Sequence, residues 1–256
     1  MPMSYVCDMD GVIYHGHRLI PGASEFLERL RQGGHKFLFL TNNSQWTPRD
    51  LAHRLAQMGV EVPESAFHTS ALATADFLDR QKPRGTAYVI GGTGLTKALY
   101  DVGYILTERN PDYVVVGDTR SYDYEKIERA VRLVANGARF IATNLDVNGP
   151  AEDGLVPACG ALVAPIELAT NRKPYFIGKP NPLMMRTALR KLESHSSEAY
   201  MVGDRMDTDI VAGNEAGMKT ILVLTGVSTQ ADLQRFAYQP TYVYPDVGQI
   251  PVETLG

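Results

Sequence analysis

The sequence is poor in cysteine, lacks long apolar runs and carries no excess of positive charge. Two cysteines in 256 residues, Cys7 and Cys159, are too few for a disulfide framework, so reduced thiols in a cytoplasmic setting are expected. No stretch approaches the ~18 apolar residues that cross a bilayer. The opening MPMSYVCD lacks the basic and apolar regions of a secretion signal. A formal net charge of −4 and a pI near 5.9 argue against a broad nucleic-acid surface, although a local basic pocket for one phosphate is compatible with them. There is no internal repeat and no low-complexity segment. What remains is ordinary for a soluble globular protein: 44% hydrophobic and 21% charged residues, in a chain long enough for one large domain or two smaller ones. The expectation is a soluble cytoplasmic protein without membrane or nucleic-acid polymer as partner. Monomer and homo-oligomer both stay open.

Strand-like and helix-like stretches alternate from end to end. YVCD precedes the helix-like PGASEFLERLRQGG, opened by Pro21 and closed by Gly33 and Gly34. KFLFL leads to TNNS and then to TPRDLAHRLAQMG, where Thr47 can cap, Pro48 takes the first helical position, and Leu51, Leu55 and Met58 share a face. After KPRG at 82–85 the pattern restarts with AYVIGG, DYVVVGD and a helix over YDYEKIERAVRLVANG. A second junction falls at NRKP, 171–174. Beyond it run YFIGKP, a helix in PLMMRTALRKLES, AYMVGD, TILVLTG and TYVYP. Short Val/Ile/Phe/Tyr runs separated by helices predict an α/β fold with a doubly wound, Rossmann-like parallel sheet. In such sheets ligands sit at the carboxyl ends of the strands.

Chemistry-bearing residues cluster at those ends. Asp8 and Asp10 in YVCDMDG lie two apart, on one side of an extended strand. They read either as a polar turn after a strand or as a nucleophile and metal site. Asp204 ends the apolar run AYMVG, and Asp209 opens the next helix. Asp207 and Asp209 are also explicable as helix-start residues favoured by the macrodipole. Converging carboxylates need a divalent cation, and an all-oxygen ligand set suits Mg²⁺. Lys179 before Pro180 reads as a surface lysine or as a point charge for a phosphate oxygen. Thr41, Asn42 and Asn43 read as a turn or as donors to phosphate.

Taken together, Asp8-Met9-Asp10-Gly11-Val12, Thr41-Asn42-Asn43, Lys179-Pro180 and Gly203-Asp204 through Thr208-Asp209 resemble the four ordered motifs of the haloacid-dehalogenase-like superfamily. The ~100 residues between the second and third motifs, with TSALATADFL, NPDYVVVGDTRSY, ANGARFIATN and PACGAL, resemble the branch carrying a large inserted α/β cap. The resemblance implies a discontinuous catalytic core over 1–80 and 176–256 and a cap over 81–175. It implies a Mg²⁺-dependent phosphomonoesterase acting on a small phosphorylated metabolite. Nucleoside monophosphates such as UMP or GMP come first, ahead of sugar phosphates, pyridoxal phosphate and aryl phosphates. Asp8 would be the nucleophile and Asp10 the acid/base. Thr41, Asn42, Asn43 and Lys179 would hold the phosphoryl group, with Arg205, Met206, Asp207 and Thr208 lining the pocket. The metal set would be Asp8, Asp10 through its carbonyl, and Asp204, with Asp209 behind them.

Other signals weigh less. IGGTGLTKAL invites a dinucleotide-binding reading, but Lys97 stands where the third glycine belongs. It is expected to be an ordinary glycine-rich turn. His15 and His17 form an HxH that an oxygen-rich site would not recruit. Trp46 is expected to pack near the site mouth. Residues 142–146 and 157–160 are candidates for setting specificity.

Overall fold

The computed structural model describes residues 2–151 and 154–255. Two compact units emerge, one of residues 1–41, 51–68 and 179–256, the other of 42–50 and 69–178.

Unit one holds a six-stranded sheet. Its order is Tyr242–Tyr244, Lys219–Val223, Ala199–Gly203, Ser4–Cys7, Lys36–Thr41 and Phe67–Thr69. The pairings of Ser4–Cys7 with Ala199–Gly203 and with Lys36–Thr41 are both parallel, and Cys7 lies opposite Val202 and Phe39. A strand flanked on both sides must be apolar on both faces, and all four residues of SYVC are buried. Tyr5 stacks on Tyr200 across that register, with ring centroids 5.2 Å apart. The Ala23–Gln32 helix buries Phe26, Leu27 and Leu30 at helical spacing. Truncating Phe26 to Ala would cost roughly 3–5 kcal/mol, the usual range for a buried aromatic. In the Pro48–Gln57 helix Leu51 and Leu55 are buried and Met58 packs beside them. Its start is closed reciprocally: the Asp50 N–H donates to Thr47 Oγ1 at 3.1 Å, and the Thr47 N–H donates to Asp50 Oδ2 at 2.9 Å. Asn181 caps Pro182–Leu192, with proline in its first turn.

Unit two has its own five-stranded sheet, in the order Tyr175–Phe176, Arg139–Ala142, Tyr113–Val116, Thr86–Ile90 and Ile105–Leu106, with parallel pairings throughout. The Tyr124–Ala135 helix, capped by Asp123, packs Val134, Val131 and Ile127 on Val114, Val116 and Phe140. The Ser70–Gln81 helix belongs to this unit and packs on the Thr93–Asp101 helix.

One expectation needs correcting. The strand before Lys179, Tyr175–Phe176, pairs with Ile141 and Ala142 in the second sheet, not with the sheet that carries Asp8. Lys179 is therefore not at the end of a core strand. It enters unit one through the two-residue extension Ile177-Gly178. No helix of the described residues is long and apolar enough to cross a membrane.

Candidate active site

The acidic site grows from adjacent strand ends of unit one. Asp8 follows Ser4–Cys7 directly, and its N–H extends the ladder by donating to Val202 O at 2.8 Å. Asp204 follows the neighbouring strand Ala199–Gly203. Asp209 lies in a wide, π-type turn at Met206–Ile210, where the Ile210 N–H reaches back to Arg205 O at 3.1 Å. Such turns are rare and recur at functional sites. The Arg205 N–H donates to Asp209 Oδ2 at 3.2 Å and fixes that carboxylate. Lys179, only 1% exposed, places Nζ 2.8 Å from Asp8 Oδ1 and 2.8 Å from Asp209 Oδ1.

The charge count is lopsided, with three buried carboxylates around one ammonium. Burial pushes the Asp8 carboxyl above the ordinary carboxylate range, and Lys179 opposes that shift. Asp204 is pushed well above the range, first by burial and then by the Asp209 and Asp8 charges. Asp209 is raised to about 6 by burial, again opposed by Lys179. Burial disfavours the Lys179 ammonium, but Asp209 and Asp8 outweigh it and hold the proton more tightly than usual. A cation is what such a cluster lacks.

The residues fit one. Among the described residues, ligand atoms of Asp8, Asp204 and Asp209 all lie within 4.8 Å of one another. Asp204 Oδ1 is buried without a hydrogen-bond partner among the described residues, a costly state that a bound cation relieves. Glycines make the room. A Cβ on Gly226 would sit 1.9 Å from Asp204 Oδ2, and one on Gly203 would sit 2.2 Å from Asp209 Cβ. Gly11 combines a left-handed φ of 79° with a Cβ position 2.7 Å from Asp204 Oδ2. The arrangement can hold a metal ion.

Asp10 is turned into a separate environment. Its Oδ2 lies 3.4 Å from the Tyr14 hydroxyl. The Arg54 guanidinium covers the Tyr14 ring at 4.8 Å and donates to Gly16 O. Burial raises the Asp10 carboxyl above the usual range, with Arg54 the strongest opposing charge. His15 and His17 are exposed on the small hairpin that follows, and the metal cluster found among the described residues does not include them.

The remaining residues singled out from sequence divide. Thr41 ends its strand, buried. Asn42 and Asn43 come next but fall in unit two. The Asn42 carboxamide donates to Asp146 Oδ2 at 2.9 Å, while Asn43 Oδ1 accepts from the Gln45 and Trp46 N–H groups at 3.0 and 3.2 Å and closes a turn. Arg205 pairs with Asp207 at 2.9 Å near the surface. Thr208 is buried. The Met206 side chain is buried in the apolar cluster of Ile210, Leu222 and Leu233. Its N–H donates to Ser228 Oγ at 3.0 Å and its carbonyl accepts from the Tyr238 hydroxyl, so neither backbone group is left for a ligand.

Sequence reasoning missed the Thr225–Ser228 loop. The Val227 N–H donates to Asp204 Oδ2 at 2.7 Å, the Ser228 N–H to Asp204 O at 3.0 Å, and Thr225 Oγ1 to Gly11 O at 2.6 Å. The signal was present in LVLTGVS, another apolar strand ending in Thr-Gly. Arg54 and Tyr14 carried no comparable signal.

Parallel sheet, strand-end carboxylates and a buried lysine define a class. Residues 5–105 match the family model described as haloacid dehalogenase-like hydrolase, and residues 176–250 match a second described as HAD-hydrolase-like. The chain belongs to the haloacid dehalogenase-like hydrolases. It is 49% identical over 247 residues to the ribonucleotide monophosphatase NagD of Escherichia coli K-12, covering 96% of this chain and 97% of that protein. It is equally 49% identical over 248 residues to a dihydroxyacetone phosphatase of Corynebacterium glutamicum, covering 97% and 90%. The structure of NagD from E. coli superposes with a TM-score of 0.92 at 48% identity, covering 98% of this chain and 100% of that one. The 4-nitrophenylphosphatase from Thermotoga maritima superposes at 0.94 and 37% identity, covering 100% and 98%. Within the family the chain is a phosphatase of the NagD type.

Proposed function

We propose that the chain is a Mg²⁺-dependent phosphomonoesterase that works through an aspartyl-phosphate on Asp8. The observation that carries this is Lys179 Nζ, 2.8 Å from both Asp8 and Asp209, beside the orphaned Asp204 Oδ1. Asp8 Oδ attacks phosphorus, forming the acyl-phosphate bond as the bond to the leaving oxygen breaks. Asp10 carries its proton to that oxygen, which its raised carboxyl favours. Water then attacks phosphorus and Asp10 takes up a water proton, so that inorganic phosphate leaves and Asp8 is restored. Lys179 and the Thr41 hydroxyl neutralise the equatorial oxygens, joined by backbone N–H groups of Asn42 and Asn43. Arg205, Asp207 and Thr208 line the site, and Met206 serves by packing. Asp8, Asp204 and the Asp10 carbonyl hold the metal, with Asp209 orienting them. Bound there, Mg²⁺ supplies positive charge to the phosphoryl oxygens. The proposed catalytic portion is 1–80 and 176–256 with 81–175 as the inserted cap, and by packing the second unit takes in 42–50, 69–80 and 176–178 as well.

For substrate the proposal puts nucleoside monophosphates first, with p-nitrophenyl phosphate as a side activity and a cytoplasmic location. The likeness to a ribonucleotide monophosphatase supports the nucleotide preference, and the likeness to a 4-nitrophenylphosphatase supports the side activity. The equal likeness to a dihydroxyacetone phosphatase supports a second reading, a sugar-phosphate or triose-phosphate substrate. A panel of both classes, with pyridoxal phosphate included, ranked by kcat/KM decides between them. The chemistry is tested by p-nitrophenyl phosphate turnover with and without Mg²⁺, alongside Asp8→Asn. Activity surviving that substitution sinks the mechanism. No turnover by the intact protein would point to a phosphometabolite sensor.

A further inference from the structure

In unit two the strands Thr86–Ile90, Tyr113–Val116 and Arg139–Ala142 lie side by side and deliver Gly91–Gly94, Asp118 and Thr143-Asn144 at their carboxyl ends. That is where an open parallel sheet ordinarily receives a ligand. Here the crevice holds the chain's own segment Ser44–Trp46. The Gly94 N–H donates to Gln45 O at 2.8 Å, and a Cβ on Gly94 would lie 2.5 Å from Trp46 O. A Cβ on Gly117 would lie 2.8 Å from Ser44 Oγ. The glycine-rich turn is therefore the seat of a peptide, not of a dinucleotide.

The polar side of the seat is the Asp118 carboxylate, answered by neutral donors among the described residues. Asp118 Oδ2 accepts from Ser44 N at 3.1 Å, Ser44 Oγ at 2.8 Å and Asn144 Nδ2 at 3.0 Å. Its Oδ1 accepts from the Cys159 N–H at 2.9 Å. Ser44 Oγ in turn accepts from the Asp118 N–H at 2.8 Å and from Thr143 Oγ1 at 3.0 Å. Asn144 Nδ2 also donates to Asn42 O at 2.8 Å, and Ser70 Oγ donates to the same carbonyl. Ser44, Thr143 and Asn144 are buried, so each of these bonds acts without competition from water. The segment they hold begins one residue after Thr41.

We propose that Asp118 and Asn144 are positioning residues for phosphate binding, because they clamp Asn42–Trp46 and thereby aim the N–H groups that follow Thr41. This rests on the phosphatase reading above. Asp118 and Asn144 spend their hydrogen bonds on Ser44, Asn42, Cys159 and each other, so the effect passes through the backbone of Asn42 and Asn43. A displacement of about 1 Å in such donors costs on the order of 100-fold in rate.

The test uses the full-length protein with Asp118→Ala and, in case that variant folds poorly, Asn144→Ala. Val134→Ala, in the apolar core of the same unit, serves as a control matched for thermal stability. Hydrogen exchange over 42–46 is compared with exchange over 199–203, and inorganic phosphate affinity is measured in Mg²⁺ buffer. The expected result is exchange ~10-fold faster at 42–46 alone and phosphate binding weaker by roughly 10-fold or more in the positioning variants. Unchanged phosphate affinity overturns the proposal, as does an equal loss in Val134→Ala. A wild-type protein that neither binds phosphate nor turns over p-nitrophenyl phosphate defeats the functional reading first, visibly and before any variant is made.

Discussion

His68 should make the folded state sensitive to acid. It is fully buried, and neither ring nitrogen has a hydrogen-bond partner among the described residues. Burial, reinforced by Lys191 and Arg190, lowers its pKa from 6.5 to about 3. The unfolded chain therefore binds a proton between those values that the folded chain refuses. Stability from this residue is complete above pH 6.5 and falls as the pH drops towards 3. At pH 5, about 1.5 pH units below the unfolded value, the loss is about 2 kcal/mol at ~1.36 kcal/mol per unit. Asp8, Asp204 and Asp209 act with the opposite sign, since their raised pKa values favour the folded state as the pH falls. A comparison with His68→Leu cancels them. Leucine has similar bulk and no nitrogen to desolvate, so the variant should match or exceed wild type at pH 7.5. Urea unfolding followed by circular dichroism at pH 7.5 and 5.0 supplies the double difference. Wild type should lose about 2 kcal/mol more than the variant over that interval. Parallel losses, equal within ~0.5 kcal/mol, would mean that His68 is not held neutral, and the reasoning fails.

Removing Lys179 leaves Asp8 and Asp209 buried without their cation. Lys179→Met should therefore lower stability by roughly 3–5 kcal/mol in metal-free buffer as well as abolish turnover, both measurable on one preparation. Asp204→Asn should do the reverse to stability. With one buried charge gone, its melting temperature in EDTA should rise, while the increase that wild type gains on adding Mg²⁺ should vanish. Gly226→Ala thrusts a Cβ against Asp204 Oδ2 and should weaken Mg²⁺ binding, seen by calorimetry, with Gly149→Ala as a control whose Cβ meets nothing within 4 Å among the described residues. Thr225→Val removes the bond to Gly11 O and should cost about 1 kcal/mol by thermal or chemical denaturation.

Local chemistry explains which parts could be read from sequence. The alternation of apolar runs and helices is written in neighbouring residues, and the parallel sheets follow from it. Asp8, Asp204 and Lys179 were legible because a charge ending an apolar run is costly unless something answers it. What answers it lies far away in the chain. Val227 meets Asp204 across a different strand, and Arg54 reaches Tyr14 from another helix. Lys179 looked like the end of a core strand because YFI is apolar, yet those residues pair with Ile141 and Ala142. Periodicity shows that a strand exists, not which sheet receives it. IGGTG was ambiguous for the same reason, since a glycine shows that something comes close without showing what.

The threading of the two units has a practical consequence for exchanging parts between relatives. The chain passes from one unit to the other at 41/42, 50/51, 68/69 and 178/179. The second unit is therefore not a cassette bounded by two splice points. A chimera that swaps only 81–175 would keep Ser44 and discard Asp118, and would keep Trp46 while changing the glycines on which it rests. A transplant that respects the packing takes 42–50 along with 69–178. The residues next to Thr41 thus travel with the insert, and a donor of new substrate preference would bring its own phosphate-proximal segment.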